Sequence, residues 1–187
     1  MEFVILGLLM IRSLSQYDIK KILQRKVSPF YSASLGSIQA ALKKLEEGFQ
    51  VEWSEAAQQG RRKKLYTVND SGKRHFMNWM LSPIAPSRLE QEMTTRLFFL
   101  GLMTPEERLV IVNAIVAELE SSLEEFDAAS LEAAKITVPD HLRQIAAYQI
   151  KTLEFGIHLH RCMLDWFSQF KIELEGSSDG GEENRIP

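Results

Sequence analysis

The sequence predicts a mainly α-helical chain of two domains, with a single β-hairpin inside the first. Three observations support this fold class. Apolar residues recur at steps of three and four along most of the chain, two β-favouring runs flank Gly60, and a segment with two prolines, 82–87, interrupts the helical pattern. With 187 residues, of which 45% are hydrophobic, the chain is long enough to bury a core in each domain.

Three short helices are predicted before the hairpin. Residues 3–11 form an unbroken apolar run, which indicates a buried helix. Ser15 is placed as the N-cap of a second helix that runs to about Lys26, and Ser34 as the N-cap of a third. The second helix is expected to turn four side chains inward: Tyr17, Ile19, Ile22 and Leu23. The third carries an apolar stripe: Leu35, Ile38, Leu42, Leu45 and Phe49.

A hairpin and a fourth helix complete the first domain. The runs Val51–Glu55 and Lys64–Val68 favour strands, and Gly60 supports a turn between them. Asp70 is predicted to cap the fourth helix, which extends to about Leu81. Three short helices followed by a hairpin is the order of a winged helix-turn-helix with a two-stranded wing. In that fold the second helix of the pair enters the DNA major groove, and here this helix begins after Ser34.

Everything after the proline-containing segment is predicted to be helical. A helix over 89–100 is expected to end at Gly101 in the left-handed conformation. Thr104 and Glu107 form a capping box that opens the next helix. The last helix begins near Asp140 and ends before Gly176. The predicted domains are therefore a winged helix-turn-helix over 1–83, an all-α dimerisation domain over 84–175 and a disordered tail over 176–187.

The charges are divided unevenly between the two domains. Residues 1–83 carry 13 Lys and Arg against 7 Asp and Glu, whereas residues 84–187 carry 9 against 18. A basic first domain beside an acidic second domain indicates that only the first meets a polyanion. Chance clustering of charges on solvated faces is the alternative.

The basic residues of the first domain concentrate on the third helix and the hairpin. Four consecutive cations near a turn repel one another unless an anion compensates their charge. The sequence predicts that six side chains contact DNA phosphates: Lys43, Lys44, Arg61, Arg62, Lys63 and Lys64. Three more are candidates for hydrogen bonds to bases or backbone: Ser34, Ser37 and Gln39. A plain amphipathic surface helix is the alternative for the third helix.

These residues resemble the PadR family of bacterial transcriptional regulators, which is named for phenolic-acid-responsive repressors. The resemblance rests on four segments: Val4–Leu9, Ser15–Ile19, Ser34–Glu46 and Gly60–Gly72. It extends more loosely to the helical dimerisation domain of the family's longer subgroup and covers about residues 1–172. The family typically has tyrosine where this chain has Gln39, and often proline where it has Ala40. The resemblance therefore leaves open whether Gln39 takes over the DNA contact of that tyrosine.

The last helix carries two apolar stripes on different faces, whereas the helix before it offers only one matching stripe. The first stripe of the last helix comprises Ile145, Tyr148, Thr152, Phe155, Leu159, Cys162 and Trp166. The second includes five residues that we predict to face a second copy of the chain: Leu153, Ile157, His160, Leu164 and Phe167. Packing against the chain's own short helices is the alternative.

Together these features predict a homodimeric, sequence-specific transcriptional repressor that recognises an inverted-repeat operator in double-stranded DNA. The alternative function is an α-helical adaptor dimer whose winged domain binds a protein. Aromatic side chains could also line a cavity for an unidentified small-molecule effector: Phe98, Phe99, Phe155, Trp166, Phe167 and Phe170. Ordinary core packing is the alternative for these six.

Other classes of function find no support in the sequence. It contains no Gly-rich phosphate loop, no Gly-x-Ser-x-Gly and no His-Glu-x-x-His, so an enzyme is not predicted. His158 and Cys162 share a helical face, but no further ligand lies nearby, so no metal or other cofactor is expected. The longest apolar run has nine residues, against the roughly 20 that cross a bilayer. With no secretory signal and no membrane partner predicted, the expected location is the cytoplasm.

Overall fold

The structure is a computed structural model that describes residues 1–24, 34–58 and 61–179. The chain divides into two compact units, one formed by 1–82 with 94–102 and the other by the remaining residues. In chain order the elements are α1 (Glu2–Ile11), α2 (Gln16–Ile22), α3 (Leu35–Glu47), β1 (Val51–Gln58), β2 (Arg61–Val68), α4 (Asp70–Met80), α5 (Leu89–Phe99), α6 (Pro105–Ala133) and α7 (Arg143–Asp179). The mainly helical fold class with a two-stranded wing is confirmed.

The first unit is built around α1, which is buried along most of its length. Phe99 packs so closely over Gly7 that a Cβ at Gly7 would lie 2.7 Å from its ring, and it meets Phe76 edge-on. The buried Arg96 donates hydrogen bonds to the carbonyl oxygens of Met80 (3.2 Å) and Ser82 (2.7 Å). Because of these contacts, 94–102 joins the first unit, whereas the predicted domain boundary assigns it to the second.

The helix-turn-helix pair differs from the prediction at three side chains. Ile19 and Leu23 are buried, but Tyr17 is exposed because two residues correspond to about 200° around a helix, which places it opposite Ile19. On α3 the middle of the predicted stripe is buried, whereas Leu35 and Phe49 are exposed. Phe49 lies beyond the helix end with a φ of 51°, so it has left the stripe. The predicted end of α2 near Lys26 lies outside the described residues.

The wing is longer than predicted. β1 and β2 pair antiparallel from Val51 opposite Val68 to Gln58 opposite Arg61, so the four cations lie within β2. Gly60 lies outside the described residues. Leu14 exchanges two backbone hydrogen bonds with Tyr66, which joins the start of the helix-turn-helix to the wing.

The helix ends show where local sequence signals hold. The capping box of Thr104 and Glu107 is confirmed at the start of α6. At α4 the cap is Asn69, which accepts a hydrogen bond from the Gly72 N–H at 3.0 Å, and not the predicted Asp70. Gly101 lies in a short 3-10 turn over 100–102 and does not adopt the left-handed conformation, so that prediction was wrong.

The second unit contains the first part of α5 together with α6 and α7. The 3-10 turn Asp140–Leu142 precedes α7, which therefore begins three residues after the predicted start. α7 continues to Asp179, so residues 176–179 of the predicted tail are helical. The rest of that tail lies outside the described residues.

Candidate nucleic-acid interface

The start of α3 is held by its own serines. The Ser34 hydroxyl accepts a hydrogen bond from the Ser37 N–H at 3.1 Å, and the Ser37 hydroxyl donates to the Ser34 carbonyl at 2.9 Å. Both residues are exposed, but these bonds occupy part of their hydrogen-bonding capacity. The side-chain amide of Gln16 donates to the Leu35 carbonyl at 3.2 Å and fixes α2 against this turn. The first turn of α3 is therefore capped and anchored.

The exposed face of α3 presents Gln39 and two lysines. Lys43 lies 3.6 Å from Glu47 one turn further along, and Lys44 lies 3.3 Å from Glu2 on α1. All four of these charged side chains are at least 40% exposed. Exposed ion pairs of this kind contribute only about 0–1 kcal/mol each, so phosphates can replace the carboxylates at little cost.

The cations of the wing also have partners. Arg62 lies 3.5 Å from Glu55, and the ammonium of Lys64 lies 3.8 Å from the centre of the Trp53 ring. These two cations are alternate residues of β2, in register with Tyr66 and Val68, so they share one face of the hairpin. Arg61 begins β2, and its side chain lies outside the description.

Lys63 lies on the other face of β2 and is less exposed than its neighbours. Its ammonium is 3.5 Å from Asp18, the carboxylate that completes the capping box of α2 with Ser15. The hydrogen bond from the Ser15 hydroxyl lowers the pKa of Asp18, and the charge of Lys63 lowers it further. Because Lys63 connects the wing to α2, its position suits support of the wing better than a phosphate contact.

Tyr66 connects the same strand to α3. Burial and a hydrogen bond with Glu46 raise the pKa of Tyr66 to about 12. The folded-state pKa therefore exceeds that of an unfolded tyrosine, about 10. The resulting stabilisation is present below pH ~10 and is lost as the pH rises from there toward about 12. At neutral pH this hydroxyl is protonated and can donate to the carboxylate of Glu46 on α3.

Comparison with known proteins identifies the family. Residues 5–78 match the model of the transcriptional regulator PadR-like family. The negative transcriptional regulator PadR of Bacillus subtilis is 31% identical over 150 residues, which cover 75% of this chain and 81% of that protein. The chain belongs to the PadR family of transcriptional regulators.

This PadR-family regulator also resembles two solved structures of Bacillus subtilis PadR. The complex of that protein with operator DNA is 22% identical, with a TM-score of 0.44, and the match covers 92% of this chain and 98% of the other. The complex of the same protein with p-coumaric acid is 20% identical, with a TM-score of 0.40, and the match covers 93% and 94%.

The predicted partner-facing stripe of the PadR-family regulator is not free in the single chain. Ile157 is 7% exposed and Phe167 4%, while His160 packs edge-on against Phe126 of α6 with ring centres 4.8 Å apart. Leu153 and Leu164 are half-buried. The stripe that is exposed is the other one, with Phe155 at 69% and Trp166 at 51%. These contacts leave the other stripe as the more exposed one, while the residues of the dimer interface and the dimer itself stay predictions.

The remaining candidate sites are separated or incomplete. Among the six aromatic residues, Phe98 and Phe99 belong to the first unit and the other four to the second. A cleft of about 720 Å³ lies elsewhere in the second unit, and its lining includes Arg88, Phe126 and His160. In the described ranges no three His, Cys, Asp or Glu side chains are grouped as metal ligands would be. Nor does any helix in those ranges have the length and apolarity needed to cross a membrane.

Sequence reasoning missed the acidic partners of the DNA-binding candidates. Glu47 could have been found, because a carboxylate four residues after Lys43 is a helical pair. Glu2 and Asp18 are more than 40 residues from the lysines they contact, and no local pattern reveals such pairs.

Proposed function

We propose that this PadR-family regulator is a homodimeric, sequence-specific DNA-binding repressor. One arrangement carries the proposal: in a single compact unit, α3 begins with exposed side chains and the adjoining wing carries Arg62 and Lys64 on one face. The family relationship supports the repressor role, because the relative from Bacillus subtilis is a negative transcriptional regulator.

In the proposed complex, the first turns of α3 lie in the major groove, where Gln39 reads a base edge. Ser34 and Ser37 keep the helix start in place, and their remaining hydrogen-bonding capacity is available to DNA. Phosphates replace the carboxylates beside Lys43 and Lys44 on α3. On the wing, the same phosphate role belongs to Arg61, Arg62 and Lys64, while Lys63 supports the hairpin through Asp18.

The proposed dimer interface is the exposed stripe of α7, and its occupant is a second copy of the chain. Tyr148, Phe155 and Trp166 project from one face of a helix whose opposite face already contains buried side chains. A second copy would cover this apolar surface by closed two-fold pairing, the commonest arrangement of protein oligomers. Two recognition helices related by that axis fit half-sites one DNA turn apart, which is the spacing of an inverted-repeat operator.

Salt dependence tests the DNA-binding role. We expect Arg61→Ala with Arg62→Ala to weaken duplex binding, because phosphate contacts release counterions from DNA. Four cations are lost per dimer, so the slope of log K against log[salt] should become shallower by up to about 3.6. Fluorescence anisotropy with a labelled duplex between 50 and 200 mM salt measures both quantities.

Two control variants make this experiment specific. Lys135→Ala with Arg143→Ala removes two cations that pair with Glu132 and Asp140 in the second unit, and should leave the slope unchanged. Lys63→Ala should lower the affinity with little change in slope, since its role is to support the wing. If the double arginine variant binds specific DNA like wild type at every salt concentration, Arg61 and Arg62 make no phosphate contact. Duplex binding that is insensitive to salt and sequence would favour the adaptor function.

We also propose that the cleft beside α6 takes a small-molecule effector. The lining includes the carboxylates of Glu90 and Glu125, but its Phe126 ring, the cationic side chain of Arg88 and the imidazole of His160 form a part that suits a small aromatic acid. The probe is p-coumaric acid, the compound bound in the solved complex of the Bacillus subtilis protein. We expect it to weaken duplex binding by wild type and by Leu131→Ala, a control elsewhere on α6, but not by Phe126→Ala. An affinity that p-coumaric acid leaves unchanged in wild type contradicts this assignment.

A further inference from the structure

Leu35, the first residue of α3, is 46% exposed, although the next apolar residues of the same stripe are buried. Ile38, Leu42 and Leu45 are each no more than 1% exposed and belong to the core of the first unit. The part of a leucine side chain that stays in water contributes no hydrophobic stabilisation to the fold. The exposed part of Leu35 is therefore available to a partner.

The backbone that carries this side chain is anchored. Ser34 caps the turn that begins at Leu35, and the Gln16 amide holds the Leu35 carbonyl at 3.2 Å. Among the described residues the neighbouring position is also open, because a Cβ added at Gly36 would meet nothing nearer than the Ser34 hydroxyl oxygen at 3.9 Å. An apolar side chain held in one place at the start of a recognition helix can distinguish between ligands that differ by one methyl group.

Gln39 lies one helical turn after Leu35 on the same side of α3 and is also exposed. In the major groove an A·T pair offers the adenine N6 and N7 atoms to an amide, and the thymine 5-methyl is the apolar group that a base pair presents. The two Cα atoms are roughly 6 Å apart along the helix axis, which allows their side chains to reach the same or neighbouring base pairs.

We propose that Leu35 is a specificity-determining residue that contacts the 5-methyl group of a thymine within or beside the base pair read by Gln39. This inference rests on the proposed DNA-binding function. It assigns to Leu35 the recognition of an apolar group, whereas the serines and Gln39 supply hydrogen bonds.

The test removes the methyl group from DNA and its partner from the protein. Duplexes bound by the full-length protein are first selected from random sequence, and each thymine of the selected site is then replaced singly by deoxyuridine, which lacks only the 5-methyl group. We expect wild type to lose about three- to tenfold in affinity at one thymine per half-site, the loss expected from exposing one methyl group. Leu35→Ala should bind the thymine-containing and the deoxyuridine-containing duplex with equal affinity. Leu35→Met, which keeps an apolar contact, should retain part of the wild-type difference in affinity between them.

Leu81→Ala is the matched control, because Leu81 is 41% exposed at the end of α4 and lies outside α3. It should discriminate between thymine and deoxyuridine as wild type does. A selected site at which wild type and Leu35→Ala respond equally to every replacement overturns the inference alone. If no duplex is enriched in the selection, the proposed function fails and the inference fails with it.

Discussion

A protein carrying Phe155→Glu and Trp166→Glu is expected to be monomeric and to bind an inverted-repeat operator at least about 100-fold more weakly than wild type. Both side chains belong to the exposed stripe of α7. Each buried aromatic side chain contributes about 1.5–3 kcal/mol, and two-fold symmetry counts each substitution twice. A factor of ten in affinity corresponds to about 1.4 kcal/mol, so the loss of these four buried side chains should prevent dimerisation at micromolar concentration. Each monomer would then bind one half-site alone. Sedimentation at micromolar concentration and operator titration measure the two effects.

The chain supplies two controls for this experiment. Ile11→Glu with Phe49→Glu introduces the same charge at exposed apolar positions of the first unit, and should remain dimeric. Cys162 is the only cysteine and lies exposed on the same α7 stripe, so a bismaleimide should join two copies of wild type but not of the double variant. Wild type that sediments as a monomer would exclude the proposed interface.

Gly72→Ala is expected to cost about 3 kcal/mol of folding free energy, or to prevent folding. A Cβ at Gly72 would lie 2.1 Å from the Gln50 carbonyl oxygen and 2.8 Å from a methyl group of Val68. The Gln50 carbonyl cannot turn aside freely, because it accepts a hydrogen bond from the Asn69 N–H. Overpacking usually costs about 1–3 kcal/mol. Because fixed backbone cannot move aside as a flexible side chain can, we expect a cost at the upper end of this range or above it. Urea unfolding followed by circular dichroism measures the loss.

Gly101→Ala is the matched control for this substitution. No atom lies within 4 Å of a Cβ at Gly101, and its φ is accessible to alanine. We expect its stability to equal that of wild type or to exceed it by up to about 1 kcal/mol, because alanine restricts the unfolded chain. Equal unfolding midpoints for Gly72→Ala and wild type would contradict the close approach of α4 to the Gln50 carbonyl.

Features fixed by local chemistry could be predicted from the sequence. The caps at Ser15, Ser34 and Thr104 were placed correctly, because an N-cap depends on residues within one helical turn. The cap of α4 was misplaced by one residue, since Asn69 and Asp70 are both good capping residues and the sequence does not rank them. The hairpin was predicted, but its strands were drawn too short, because only 51–55 and 64–68 were taken as strand-favouring runs around the turn at Gly60.

Features that depend on tertiary contacts could not be predicted in this way. Both stripes of α7 have the same spacing, so the sequence does not show which of them packs within the chain. In the structure, Phe126 of α6 lies against His160 and Gly156, which belong to one side of α7. For the candidate site, residue types indicated the cations as a group, and their contacts with DNA stay a prediction. The different position of Lys63 depends on Asp18, 45 residues away, and no pattern in the sequence shows that contact.

The acidic neighbours of the cations make DNA association an exchange reaction. In the proposed complex, Glu47, Glu2 and Glu55 occupy the places that phosphates take. A duplex with correctly spaced phosphates replaces several carboxylates at once, and each replacement costs at most about 1 kcal/mol. A flexible polyanion that reaches one or two cations gains little over the carboxylates it displaces. The protein's own acidic side chains should therefore lower its affinity for heparin or single-stranded RNA more than its affinity for an operator, so that these negative charges contribute to selectivity.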